Sequence, residues 1–182
     1  MKTSFPVSEL IRRDHREMER LFDELTEVEK RPLVAPTLLA LLGAHSRAEE
    51  SEVYPVLRKE TDAAEDVAHS QQEHAEADAL VSSLVHGDLD GDKYDRTLKR
   101  LVETVSHHIE EEESDVLPKL EELPRTQQLE LGSSFANARA EILCSGADAL
   151  TREQLEQQAR NERLSGISGM DKRELSRAVA QD

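Results

Sequence analysis

The chain has 182 residues and a formal net charge of −16, enough length for one domain plus a small appendage and enough acidity to repel phosphate backbones. Hydrophobic residues make up 37% and aromatic residues 3%, with no Trp, so Leu, Val and Ala must fill the core, a set that suits helices better than sheet. Cys144 is the only cysteine, which excludes an intramolecular disulfide and a thiolate zinc cluster, and neither an apolar leader nor a run near the roughly 20 apolar residues of a membrane span is present, so a soluble cytoplasmic protein is expected.

Val7-Ser8 reads as a staple and N-cap, and the stripe Ile11, His15, Met18, Phe22, Leu25 predicts a first helix over about 8–30. Residues 31–36 read as a turn, with Pro36 suited to the first helical position. The second helix carries Leu38, Leu41, Leu42, His45, Glu49, Val53 and Val56, and ends near Thr61-Asp62. The third runs from about Ala63 to His86, with Val67, Gln71, His74, Asp78, Val81 and Val85 on one face. Residues 87–91 form a loop. The fourth stripe is Tyr94, Leu98, Leu101, Val105, His108, Glu112, Val116, Leu120, stopping before Pro124. A weaker fifth helix over about 126–143 carries Leu129, Phe135, Ile142 and Leu143. Four long amphipathic helices with short links predict an all-α, antiparallel up-down-up-down four-helix bundle, with a fifth helix and a small helical tail. The expected domains are 1–145, with its core over 8–122, and an appendage over 146–182.

A charged fraction of 34% on helices is mostly a solvated face. The informative residues are the polar ones on the apolar stripes: His15, His45, Glu49, His74, His108 and Glu112. A buried carboxylate without a partner costs several kcal/mol or shifts its pKa, and here each of four helices places a His where Leu or Val belongs. His45–Glu49 and His108–Glu112 are both i,i+4 pairs, so each projects from one helix face.

An internal repeat supports this reading. Residues 45–57 align without gaps onto 108–120, with the His, both Glu, Ser, Val, Pro and final Leu identical. Pro55 and Pro118 each fall ten residues after the His, inside a helical pattern where Pro costs about 3 kcal/mol. Their recurrence predicts a kink just past the site. Counting from the turn near Asp62 puts Glu49 and His74 at one level of antiparallel helices. Imidazole nitrogen and carboxylate oxygen without sulfur suit Fe or Mn, with Zn as a further candidate, and two Glu among four His point to two metals bridged by carboxylates. The alternative is a bundle with unusual polar core layers. Asp78, Tyr54, His107 and Glu113 are further ligand or neighbour candidates, whereas His69, His86, Glu50 and Glu111 read as solvated.

These residues resemble the haemerythrin-like (HHE cation-binding) family, whose pattern is a His on helix one, His-x-x-x-Glu on helix two, a His on helix three and His-x-x-x-Glu on helix four. The resemblance covers about 8–122. It implies two irons joined by an oxo or hydroxo group, with Glu49 and Glu112 bridging and the four His holding the metals. It implies reaction with hydrogen peroxide, oxygen or nitric oxide. Oxygen carriers in the family have a second His where this chain has Asp78, and an Asp five residues after the last His where this chain has Glu112 at four. The chain is most similar to actinobacterial haemerythrin-like proteins, which implies catalase-like peroxide disproportionation in oxidative-stress defence. A sensor or binding module for iron, oxygen or nitric oxide, without turnover, is the alternative. Residues 150–175 resemble the helix-extended-helix N-terminal module of the transcription terminator Rho. Six basic and six acidic residues over 150–182 lend nucleic-acid binding little electrostatic support. Monomer and homodimer both remain open.

Overall fold

The computed structural model describes residues 5–86, 91–144 and Met170. Residues 87–90, expected as a loop, the side chains of Pro32, Val85 and His86, and the tail expected as a Rho-like module lie outside the described residues, Met170 apart. The chain divides into two compact units, Met1–Arg139 and Ala140–Asp182.

Every regular element among the described residues is helical: α1 (Val7–Leu25), a 3₁₀ turn (Val28–Lys30), α2 (Arg31–Ala48), α3 (Tyr54–Glu60), α4 (Ala64–His86), α5 (Gly91–Glu111), α6 (Leu117–Glu121) and α7 (Arg125–Cys144). Two π-helical turns, Glu49–Val53 and Glu112–Val116, join α2 to α3 and α5 to α6, so each pair forms one interrupted rod. The rods are antiparallel: Arg12 and Arg16 of α1 meet Glu121 and Glu113, and Glu73 and Glu76 of α4 meet His107 and Arg100 of α5. The expected four-helix bundle is thus the observed fold. None of its described helices is long and apolar enough to cross a membrane.

The predicted stripes form the core. Ile11, Met18, Phe22, Leu25, Leu38, Leu41, Leu42, Val67, Leu98, Leu101, Val105, Val116 and Leu120 are all buried. The apolar interior falls into two clusters. One gathers Val7, Ile11, Tyr54, Leu57, Leu117, Leu120 and Phe135. The other gathers Met18, Phe22, Leu38, Leu42, Leu101 and Val105. Along α1, His15 sits between Ile11 of the first and Met18 of the second, at the level where the polar side chains lie.

Three local expectations are corrected. The first break in the chain falls at Thr26–Glu27, where Glu27 is extended (φ −86°, ψ 108°), and not over 31–36. Arg31 through Pro36 are helical, because Pro32 lies in the first turn, where N–H groups have no helical partner anyway. Pro6, not Ser8, precedes α1, and its fixed φ of −66° leads the chain into the helix without a side-chain cap. In the bundle part of α7 the buried side is Gln128, Leu131, Gly132 and Phe135, so Leu129 is only half-buried. Gln128 is inward because its amide donates to the carbonyls of Glu121 and Leu123 at 2.9 and 2.7 Å, which α6 leaves without helical partners.

Candidate metal centre

All six stripe residues are buried at one level of the bundle. They form two overlapping clusters, His15–His45–Glu49–Glu112 and Glu49–His74–His108, whose donor atoms lie within 4.8 Å of one another. His45 Nε2 is 3.2 Å from Glu49 Oε1, and His15 Nε2 is 3.2 Å from Glu112 Oε2. On the other side His74 Nε2 is 3.5 Å from Glu49 Oε2 and 3.2 Å from His108 Nε2, which is 3.9 Å from Glu112 Oε2. Each carboxylate therefore faces a His from both halves of the cluster. Ligand bonds of about 2.0–2.2 Å place neighbouring donors roughly 3–3.5 Å apart, close to these spacings.

The π-turns explain how the carboxylates reach the centre. Each turn begins at a site glutamate: Tyr54 N–H donates to Glu49 C=O, and Leu117 N–H to Glu112 C=O, both five residues back. Pro55 and Pro118 follow immediately. A proline ring clashes with the carbonyl four residues earlier in a regular α-helix and has no N–H to give. The wider turn relieves that conflict and re-aims the rod. The expected kink is thus a π-bulge that starts at the glutamate itself.

Each histidine is oriented from outside. Nδ1 of His15, His45, His74 and His108 lies 2.9, 3.3, 3.1 and 2.9 Å from Glu113, Asp14, Glu50 and Glu73 respectively. An Nδ1–H held by a carboxylate leaves the Nε2 lone pair facing inward, the tautomer a metal requires. The partners repeat with the sequence: Glu50 and Glu113 follow the two site glutamates, and Asp14 and Glu73 precede the two lone histidines. Glu113 was a candidate neighbour. Glu50, expected to be solvated, instead orients His74, and the Glu-Glu doublet shared by both repeat copies is the signal for it, whereas Asp14 and Glu73 carry no such signal in the sequence.

The electrostatics are those of donors held without their acceptor. His15 Nε2, His45 Nε2, Glu49 Oε1 and Glu112 Oε2 are shut off from solvent and have no hydrogen-bond partner. Such atoms cost free energy unless something compensates them. Burial and the Glu112 charge push Glu49 well above the ordinary carboxylate range. Burial works the same way on Glu112, but His15, His108 and His45 outweigh it and hold that carboxyl at about 2. Burial drives His45 down to about 4. For His15 it is overcome by Glu112 and Glu113, which raise the imidazole. Two cations between these groups would compensate both carboxylates and occupy the inward nitrogens, so the donors fit a di-metal centre.

The remaining candidates separate clearly. Asp78 is exposed and belongs to neither cluster; Ala77 takes the inward position on α4, because the helix has turned past the site by that residue. Tyr54 is fully buried, with Oη 3.4 Å from Glu49 Oε2 and 3.5 Å from Glu112 Oε1, and its ring stacks on His74 at 5.8 Å. The equivalent position in the second repeat is Leu117, so the phenol breaks the two-fold pattern. His107 is exposed and meets Glu73 outside the centre. Sequence reasoning missed the part of α7: Phe135 stands edge-on to the His45 ring at 5.9 Å, and Arg139 Nε lies 2.5 Å from Asp14.

The family model described as the Hemerythrin HHE cation binding domain matches residues 7–120, α1 through α6. No curated protein and no solved structure matches the chain. With the match spanning most of the chain and two buried His/Glu clusters at its centre, the chain belongs to the haemerythrin HHE cation-binding family and is a metal-binding helical bundle.

Proposed function

We propose that the centre holds two iron ions and that the loaded protein decomposes hydrogen peroxide. In this reading His15 and His45 would hold one ion and His74 and His108 the other, with Glu49 and Glu112 positioned to serve both. The observation that carries it is the arrangement of four Nε2 atoms, each backed at Nδ1 by a carboxylate, around two buried glutamates. Nitrogen and oxygen donors without sulfur favour iron over softer ions, with Mn and Zn as the alternatives.

Three features support chemistry with a small oxidant. Asp78 is exposed, so α4 supplies only His74, and two histidines with two shared carboxylates would give each ion four protein donors, fewer than the six of an octahedral site. Fewer protein donors leave room for an exogenous ligand such as peroxide, oxygen or nitric oxide. Apolar clusters on both sides keep bulk water out. Tyr54 Oη, between the two site carboxylates, carries a hydroxyl proton beside the reacting position.

A bound iron pair supplies one-electron steps at two adjacent sites. The net reaction is balanced without a further reductant: one peroxide is oxidised to oxygen, a second is reduced, and two waters result. The protein's own groups keep the donors aligned, exclude solvent and hold a proton at Tyr54. The test is oxygen evolution from iron-loaded protein given hydrogen peroxide. Sustained turnover that disappears in Glu112→Ala supports the proposal. Spectral change with nitric oxide or oxygen but no turnover overturns it in favour of a sensing or binding module.

A further inference from the structure

Just outside the buried centre, α4 and α5 repeat its spacing on the surface. His69 and Glu73 are i,i+4 on α4, and His107 and Glu111 are i,i+4 on α5. His69 Nε2 lies 2.9 Å from Glu111 Oε2 and 3.7 Å from Glu73 Oε1. His107 Nδ1 lies 3.1 Å from Glu73 Oε1, and its Nε2 is 3.6 Å from Glu111 Oε1. One donor atom each from His69, Glu73 and Glu111 falls within 4.8 Å of the others.

We propose that His69, Glu73 and Glu111, with His107 beside both carboxylates, form a separate solvent-facing site for a divalent cation of the borderline class, such as Fe²⁺, Co²⁺ or Zn²⁺. An imidazole and two carboxylates from facing helices are donors such ions accept, and three protein ligands with an open side is the usual form of an exchangeable site. Glu111 Oε2 is closed off from solvent and, despite its distance to His69, has no hydrogen bond. It shares this trait with the inward atoms of the buried centre.

The surroundings favour a cation. The groove on one side of the cluster is lined by Glu65, Asp66 and Asp115, and the groove on the other by Glu76 and Glu103. Arg100 in the second groove is already engaged by Glu76 at 2.6 Å, and Lys119 by Asp66 at 2.7 Å. A concentration of one charge sign along a cleft raises the local level of counter-ions. Glu73 also connects the two places: Oε1 faces the outer cluster and Oε2 accepts from His108 Nδ1 at 2.9 Å. An ion captured outside is therefore one carboxylate away from a residue of the interior.

The full-length metal-free chain titrated with Co²⁺ tests this, with ions counted by calorimetry and by the visible spectrum of bound cobalt. His69→Ala/Glu111→Gln removes two ligands with exposed side chains and leaves Glu73 in place for His108. The expected result is one ion more in the wild type than in this variant, a loss of affinity at that ion of at least ~100-fold, and unchanged binding of the remaining ions. His45→Ala/His108→Ala is expected to lose the buried ions while keeping the outer one. A wild type and His69→Ala/Glu111→Gln protein that bind the same number of ions with the same affinities overturn the outer site. Retention of the outer ion in a wild type that binds no buried pair overturns the reading of the centre instead and upholds this one.

Discussion

Arg139 and Asp14 are 125 residues apart in the chain, yet Arg139 Nε lies 2.5 Å from Asp14 Oδ2, and the same oxygen lies 3.3 Å from His45 Nδ1. A helix beyond the matched family region thus sets the orientation of a site histidine through one carboxylate. Without the Arg139 guanidinium, Asp14 loses the group that fixes its position. Arg139→Met preserves the aliphatic stem and is expected to lower metal affinity by about tenfold, with helix content by circular dichroism unchanged. Equal affinity in a chelator competition would show that α7 only covers the bundle.

Gly132 of α7 packs against the start of α1. A Cβ there would stand 2.3 Å from Phe5 C=O and 3.2 Å from Val7 N, both backbone atoms that cannot rotate away. Gly132→Ala gains helix propensity but must push the two segments apart. Overpacking of this kind costs about 1–3 kcal/mol, so the melting temperature should fall by several degrees. A rise in melting temperature would mean that α7 is not seated against α1 in solution.

Pro55 and Pro118 are expected to matter more for the metal than for the fold. Replacing both with Ala removes the steric reason for the π-turns and restores two N–H donors. The double variant is then free to rewind towards α-helix, which rotates Glu49 and Glu112 away from the histidines. Metal-free melting should hold or rise, while affinity for the ion pair falls. Unchanged affinity would show that packing alone maintains the bulges.

Stability without metal should fall on both sides of neutrality. The native pKa of His15 is raised above 6.5 and that of Glu49 above 4.5, so each holds a proton that the unfolded chain has released. That contribution is present at lower pH and is lost as pH rises through the native values. Glu112 is depressed to about 2 and His45 to about 4. Their contributions are present above the unfolded values and are lost as pH falls towards the native ones. Cations take the place of the protons on His15 and Glu49, so the metal-dependent rise in melting temperature should grow from pH 6.5 to pH 8.5. A constant or shrinking shift would argue that metal binds elsewhere.

Tyr54 and Asp78 make a matched pair of tests. Tyr54→Phe keeps the ring on His74 and removes only the hydroxyl between the shared glutamates. It should leave ion stoichiometry unchanged and slow peroxide turnover. Asp78→Asn alters an exposed side chain and should change neither. An iron deficit in the Asp78 variant would restore that residue as a ligand.

The helices were legible because their apolar residues recur with helical period over long stretches, and most of those residues are buried. The six central residues were legible for the same reason: a polar group on an apolar stripe has few explanations, and two gap-free repeat copies with identical His-x-x-x-Glu spacing leave fewer. The turn over 26–30 was harder to place, because Pro32 reads locally as part of a turn and Pro36 as a helix start, whereas the helix already begins at Arg31 and contains both.

Periodicity also erred at Asp78. A strict four-residue step from His74 lands near the stripe, but the helix carries Ala77 inward and Asp78 out. Asp14, Glu50 and Glu73 look in sequence like other acids on a solvated face. Only the approach of a second helix turns a surface carboxylate into the partner of a buried imidazole.

The chain's own pattern determined the helical bundle, the polar level within it and the residue types gathered there, because hydrophobic period and repeat spacing are properties of single helices. Tertiary structure decided which carboxylate holds which histidine, that Tyr54 stands between the two glutamates, and that α7 reaches the centre through Arg139. Those relations depend on the rotation and depth of helices that are distant in sequence, which packing settles and local spacing does not encode.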